Sequence, residues 1–583
     1  MSGNPAVKWL LAEYDNNVAQ ALAEETGLSL PIAALLAQRG LLDREAVDRY
    51  FMPSLGGLPS PYGMKGVQEA AALVYLALQN QQPVIVYGDY DVDGTTGSGV
   101  LVDFFREIGL QDVYCAQPLR LSEGYGLHLA TLNRCLPAGL LEKQCLLVTV
   151  DCGISDSACV QALKEMGLAV IITDHHQPPA ELPAADVLIN PLQPGCNFSE
   201  KNLAGVGVAF YLIMGIRKYL YEEGVYAAAD AAPNLKRYLD LVAVGTVADM
   251  VPLIGVNRIL VKAGLEQLRQ TKRIGLKELL KVSGLEDKPV FSDDIGYRLG
   301  PRLNAAGRMA DAALALELLL ADDPERARQL AQEVNQHNEA RKEVIEEVIG
   351  QARALAEQQL AIGRKIMVIQ GEGWHPGVIG IAASRLVEEF HRPVLLFAVQ
   401  DGVAKGSGRT ITGLNLYGLL VGFKDLFEKF GGHQAAVGLT MPSAGLAELA
   451  ELLEQAMAAA VSAEMLAPKL TVDWQFSDIK QGRLDQNFFA FYERMEPFGQ
   501  GNPEPLFSVK GRLDYPREVG VNHLKFAMRI NGASFSGIGF NLADKVNLSS
   551  GQEVELAFHL RRNSFRGQTS WQLNAENVRY PTI

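Results

Sequence analysis

The side chains best able to do chemistry in this chain are acids and imidazoles at the ends of apolar runs. Gly88-Asp89-Tyr90-Asp91-Val92-Asp93-Gly94 follows the run at 83–87 and sets three carboxylates at alternate positions between glycines. Negative charges that close together are costly unless a cation lies among them; the alternative is a solvated acidic turn. A calcium loop of the EF-hand type does not fit. Its flanking element would be a buried strand here, and no glutamate falls at the twelfth loop position. Two more runs end in Thr149-Val150-Asp151-Cys152-Gly153 and Thr173-Asp174-His175-His176. A lone histidine is commonly structural, but an adjacent pair behind an aspartate at a strand's carboxyl end is hard to explain by packing. Asp249 interrupts the apolar stretch Gly245-Thr246-Val247-Ala248-Asp249-Met250-Val251 and needs a cationic partner if it is buried.

The elements that must hold these groups are strand–helix units. Runs at 83–87, 145–150, 168–172 and 187–189 are short and unbroken, as strands covered on both faces of a parallel sheet are. Amphipathic stretches such as 157–166 lie between them, which predicts a doubly wound α/β domain. Its carboxyl edge, where such folds bind ligands, would gather the acids and histidines. Mostly oxygen donors plus imidazole suit Mn²⁺, with Mg²⁺ the competitor, and the lack of thiolate ligands argues against structural zinc. There are enough acids for two ions ~3.5–4 Å apart, an arrangement that activates water and stabilises a leaving oxygen in phosphoester cleavage.

At 583 residues the chain is too long for one core. The predicted plan is a helical lead-in over 1–55, an α/β domain over 56–322, a linker helix over 323–362, a second α/β domain over 363–466 and a β module over 467–583. The linker follows from the charged, heptad-like stretch at 325–359. The β module follows from alternating runs at 470–476, 524–530 and 554–560, which suggest a small barrel or sandwich. No apolar run reaches the ~18 residues that span a bilayer, and the start does not read as a secretory signal. Six cysteines with no CxxC pair read as thiols of a reducing cytoplasm. The net charge of −14 weighs against nucleic-acid binding only weakly, because a local basic groove is what matters.

The series Gly88–Gly94, Asp151, Asp174-His175-His176 and Asp249, in that order, resembles the DHH phosphoesterase superfamily, and within it the RecJ exonucleases. The resemblance implies metal ligation by Asp91, Asp93, Asp151, His175 and Asp249, with Asp89 a further ligand or a neighbour of one. It implies that His176 faces the metals or the scissile phosphate and that Asp174 orients the histidines. Arg120-Leu121-Ser122-Glu123-Gly124-Tyr125-Gly126 looks like the RecJ segment that meets the substrate backbone, and Gly300-Pro301-Arg302-Leu303-Asn304-Ala305-Ala306-Gly307-Arg308 also matches. Arg302 and Asn304 are assigned to the catalytic set, and Arg120, Tyr125 and Arg308 to DNA; ion pairing or helix capping is the other use of such arginines. The second α/β unit resembles the DHH-associated domain through His375, Ser384 and Arg385, then Lys405, Ser407 and Arg409, then Gly431-Gly432-His433, a set of loops suited to phosphate. The tail resembles the RecJ OB-fold module, which grips single strands by cations and stacking; Lys525, Arg529, Arg561, Arg562, Phe565 and Arg566 are its candidate contacts.

The implied activity is a Mn²⁺- or Mg²⁺-dependent 5′-to-3′ exonuclease that degrades single-stranded DNA to nucleoside 5′-monophosphates in repair and recombination. A single-strand-binding protein and a helicase are the implied protein partners. A short-oligonucleotide or cyclic-dinucleotide phosphodiesterase is the rival within the same chemistry. A non-catalytic DNA-binding replication scaffold is the rival outside it.

Overall fold

A computed structural model describes residues 7–120, 122–228, 230–309, 311–476, 484, 486–530, 533–544, 549, 551–565 and 568–580. The chain divides into two compact units, residues 54–467 and residues 1–53 with 468–583.

In the first unit five strands form a parallel sheet in the spatial order Val113–Ala116, Val84–Gly88, Leu146–Val150, Ala169–Thr173, Val187–Ile189. Alternate side chains feed two cores. Val84, Val86, Leu146 and Val148 enter one, and Ile85, Tyr87, Leu147 and Val170 enter the other. That two-sided burial is why the strands are continuously apolar. The strand Val113–Ala116 has no such run, because it lies at the sheet edge and three of its four residues are only half-buried. Chain order reverses between Val84–Gly88 and Leu146–Val150, so the crevice beyond their carboxyl ends is the switch point where doubly wound sheets take ligands. Asp89 and Asp151 directly follow those two strands.

The linker is one helix, Pro324–Ala361, started by Asp323, whose carboxylate accepts from Arg326 N. Its first half packs Leu330, Ala331 and Val334 into the core of the first sheet. Its second half packs Ile345, Val348, Ile349 and Ala352 against the second α/β domain. The sheet of that domain pairs Met367–Glu372 in parallel with Val394–Gln400, then continues antiparallel through Val403–Arg409, Ala436–Pro442 and the edge strand Lys429–His433.

The second unit is built on a closed barrel. Phe507–Val519, His523–Ile530, Ala533–Gly539, Gln568–Arg579 and Gln552–Phe565 follow one another, and the last pairs back onto the first. The N-terminal segment supplies three helices and also a strand, Lys8–Leu11, parallel to Lys469–Val472. Leu22, Ile32 and Phe51 from those helices share one apolar cluster with Phe488, Phe507 and Phe558. Among the described residues no helix is long and apolar enough to cross a membrane.

Candidate metal centre

The glycines of the first motif make its turn possible. A Cβ on Gly88 would lie 2.0 Å from Ser98 Oγ, and one on Gly94 would lie 2.5 Å from the Asp89 carbonyl oxygen. Asp91 caps the helix Val92–Glu107, its Oδ1 accepting from Asp93 N at 3.0 Å and Gly94 N at 3.1 Å. Asp93 is buried and accepts from the backbone N–H groups of Gly205 and Val206, the first residues of the helix Gly205–Glu222. Free N–H groups and the positive end of a helix dipole favour a carboxylate there. Asp151 adopts φ +62°, and a Cβ on Gly205 would fall 2.6 Å from its own Cβ. Sequence reasoning did not pick out the Gly205 segment; its signal is the small-residue run Leu203-Ala204-Gly205-Val206-Gly207.

His175 draws the acids together. Its Nε2 lies 3.0 Å from Asp151 Oδ1, 3.7 Å from Asp249 Oδ2 and 3.9 Å from Asp93 Oδ2. Ligand atoms of three overlapping groups each lie within 4.8 Å of one another: Asp93, His175 and Asp249; Asp151, His175 and His176; Asp89, Asp91 and Asp151. Asp89 Oδ1, Asp151 Oδ1, His175 Nε2 and Asp249 Oδ2 are all buried and none has a hydrogen-bond partner. The 3.0 Å approach of His175 to Asp151 is therefore a convergence of two donor atoms on common space, not a bond between them. Four buried, unpartnered atoms of oxygen and imidazole type are what one or two divalent cations of the Mn²⁺ or Mg²⁺ kind require, so the residues fit the ions.

Electrostatics agree with the geometry. Burial, then the other acids, push Asp93 up to about 7 and Asp249 up to about 9, and carry Asp89 and Asp151 well above the carboxylate range. Burial, followed by the charge of His176, pulls His175 down to about 4, which keeps its imidazole neutral and able to ligate. Asp174 behaves differently. Burial raises it, but bonds from His176 Nδ1 at 2.8 Å and from the N–H groups of Ile154, His175 and His176 outweigh that, so it stays ionised. His176 is raised in turn, because Asp174 overcomes its own burial. Tyr125 closes this group, its hydroxyl 3.0 Å from His176 Nδ1 and 3.2 Å from the Asp151 carbonyl oxygen. The loop that carries Tyr125 is pinned by Glu123, which accepts from Arg134 and from Leu119 N.

Beside the acids lies a cavity of about 520 Å³. Arg120, Arg308, Lys405, Ser407, Arg409 and Gly431 line it with Tyr90, and Arg120 sits 4.8 Å over the Tyr90 ring. Arg308 Nη1 donates to the Gly377 carbonyl, which ties the first α/β domain to the second. The segment from Gly300 to Met309 is a helix whose small residues serve packing: a Cβ on Gly307 would lie 3.0 Å from the Tyr90 carbonyl oxygen. Asn304 is half-buried on that helix. Arg302 turns to the linker helix and donates from Nε to Asn335 Oδ1 at 2.9 Å, so its bonds lie there and not among the acids. His375 accepts from Gly377 N, Ser384 donates to its own helix at the Gly380 carbonyl, and Arg385 is ion-paired with Glu346. Gly432 and His433 are exposed on the edge strand. In the barrel unit Lys525 is exposed, while Arg529, Arg561 and Arg562 pair with Asp514, Glu504 and Glu493. Arg566 and the side chain of Phe565 lie outside the described residues.

Three domain families match the chain: the DHH family, N-terminal domain, over residues 83–246, the DHHA1 domain over 363–459 and the RecJ OB domain over 477–577. Fold and site together thus define a DHH phosphoesterase with an appended OB barrel. Single-stranded-DNA-specific exonuclease RecJ of Dickeya dadantii is 39% identical over 568 residues, which cover 94% of this chain and 96% of that protein. Crystal structures of RecJ from Thermus thermophilus superpose on 99% of the chain. The complex with Mn²⁺ has a TM-score of 0.81 at 31% identity over 80% of that chain, and the complex with Mg²⁺ 0.75 at 29% over 79%. The chain belongs to the RecJ family of single-stranded-DNA-specific exonucleases.

Proposed function

We propose that this protein is a Mn²⁺- or Mg²⁺-dependent exonuclease that removes nucleotides from the 5′ end of single-stranded DNA and releases nucleoside 5′-monophosphates. The observation that carries the reading is the convergence of Asp89, Asp151, His175 and Asp249 on shared space with no cation of the protein's own among them. Its family membership supports substrate and polarity.

Asp89, Asp91, Asp93, Asp151, His175 and Asp249 are the residues that would hold the ions. Divalent cations bound there supply a water of lowered pKa and offset the charge that develops on the phosphate. The protein's own groups do the rest. Asp174 fixes His176 by its Nδ1, which turns the opposite ring nitrogen toward the phosphate as a hydrogen-bond or proton donor. Arg120, Arg308, Lys405, Ser407 and Arg409 bind backbone phosphates in the adjoining cavity and align the strand. Lys525 and Arg562 of the barrel extend the grip on single-stranded DNA. A place in repair and recombination, with a helicase and a single-strand-binding protein supplying the strand, follows from a substrate that exists only where duplex DNA has been opened.

Labelled oligonucleotides test this directly. With Mn²⁺, a 5′-labelled single strand should yield labelled mononucleotide at once, a 3′-labelled strand should shorten progressively, and the blunt duplex should persist. Mononucleotide released first from the 3′ label would overturn the polarity, and inert single strands would overturn the activity.

A further inference from the structure

The helix Pro324–Ala361 is rich in glutamate, and most arginines that meet it are neutralised. Arg326 pairs with Glu317, Arg328 with Glu325, Arg353 with Glu389 and Arg385 with Glu346. Two are treated differently. Arg302 Nε donates to Asn335 Oδ1 and Arg341 Nη2 donates to Asn338 Oδ1, each at 2.9 Å. The two asparagines stand three residues apart, about 4.5 Å along the helix axis, and Asn338 is buried to 1% exposure. A neutral amide orients a guanidinium without cancelling its charge. A buried asparagine spent on a helix interior, where its propensity is poor, calls for such a use.

The surroundings of Arg341 sharpen the point. Its Nε is buried and lacks a partner, as is the Nε of Arg308. The one acid that acts on both Arg302 and Arg341 is Glu339, and it is already bonded to Lys342 at 2.9 Å. Burial, then the charges of Arg120 and Arg341, draw Arg308 down to about 9. Burial and the charge of Arg385 likewise lower Arg341. Cations that repel one another in a partly dry site, with no carboxylate in ion-pair contact among the described residues, leave a place for an anion. The nearest anionic chemistry is the phosphate-lined strand whose track begins in the cavity at Arg120 and Arg308.

We propose that Arg341 is a DNA-binding residue, aimed by Asn338, whose guanidinium holds a backbone phosphate of the single strand beyond the nucleotide being removed. The row Arg409, Arg120, Arg308, Arg341, Arg302 then marks the strand's course from the metal centre along the linker helix, which becomes part of the substrate track. This rests on the exonuclease reading above.

The test compares 5′-phosphorylated dT20 with a 5′-phosphorylated dinucleotide, which reaches only the metal centre, in Mn²⁺ over a series of KCl concentrations. Arg341→Gln should raise KM for dT20 about tenfold with kcat held, the effect of losing one charged phosphate contact. It should reduce the slope of log KM against log[KCl] by about 0.7, one counterion on a single strand. The dinucleotide should be cleaved as by the wild type. Arg341→Lys should restore the salt slope. Asn338→Ala, which leaves the guanidinium in place but unaimed, should raise KM for dT20 alone and serves if Arg341→Gln melts early. A wild-type salt slope and KM in Arg341→Gln, or an equal loss on the dinucleotide, would overturn the proposal. A wild type inert on dT20 would overturn the exonuclease reading beneath it.

Discussion

The helices Val92–Glu107 and Leu239–Ala248 each bear acids at both ends, and the protein treats the two ends in opposite ways. At one end Arg273 lies between Asp103 and Asp240, donating to Asp103 from Nη1 and to Asp240 from Nε at 3.3 Å, while Thr271 Oγ1 donates to Asp240 at 2.7 Å. At the other end Asp91 and Asp93 begin one helix and Asp249 caps the other, and no lysine or arginine makes an ion pair with them among the described residues. The packing demands are alike, so packing does not explain the contrast. Buried acids given a built-in counterion are architecture; buried acids denied one are a binding site for a cation from outside.

The largest effect should come from emptying the second end. His175→Ala or Asp151→Ala should lower kcat by on the order of 10³-fold or more, with circular dichroism unchanged and the Mn²⁺-induced rise in melting temperature lost. Breaking the first end should do the reverse. Arg273→Ala should destabilise the fold by roughly 3–5 kcal/mol through two acids left unpaired, measured by urea denaturation, with kcat retained where the variant is folded. Asp174→Asn should lower kcat about 10–100-fold, since it loosens His176 without removing a donor from the acid cluster; unchanged turnover would deny Asp174 that positioning role.

The smallest effect is on the metal-free protein. Asp93 and Asp249 titrate higher in the folded state, at about 7 and about 9, than the 3.8 of an unperturbed Asp. A raised folded value means that the folded state holds the proton more tightly. Their stabilisation is therefore full below about pH 4 and is lost as pH rises through 7 and then 9. In EDTA the melting temperature should fall across that window, and saturating Mn²⁺ should flatten the fall. Asp249→Asn should raise the metal-free melting temperature at about pH 8 by about 2 °C, where Asp240→Asn should lower it.

Much of this contrast was legible in the sequence, for a physical reason. Strands covered on both faces write themselves as unbroken apolar runs, so an Asp or His directly after 83–87, 145–150 or 168–172 stands out, and the carboxyl edge then follows from the fold class. The edge strand Val113–Ala116 left no such trace because it is only half-buried. Groups that act through backbone were hidden too. Gly205 N and Val206 N, which hold Asp93, come from a segment whose only mark is small size. Arg341 was hidden among the alternating charges of the linker, where nothing local separates it from the ion-paired Arg353. Its difference lies in Asn338, and only three-dimensional neighbours show that an amide there takes the place of an acid.

Diffraction from crystals grown with Mn²⁺, recorded at the manganese absorption edge, tests the central claim most directly. Anomalous peaks should appear bonded to Asp93, Asp151, His175 and Asp249, and none beside Asp103 and Asp240. Acids bridged only by water or by a protein cation, with no peak among them, would contradict it.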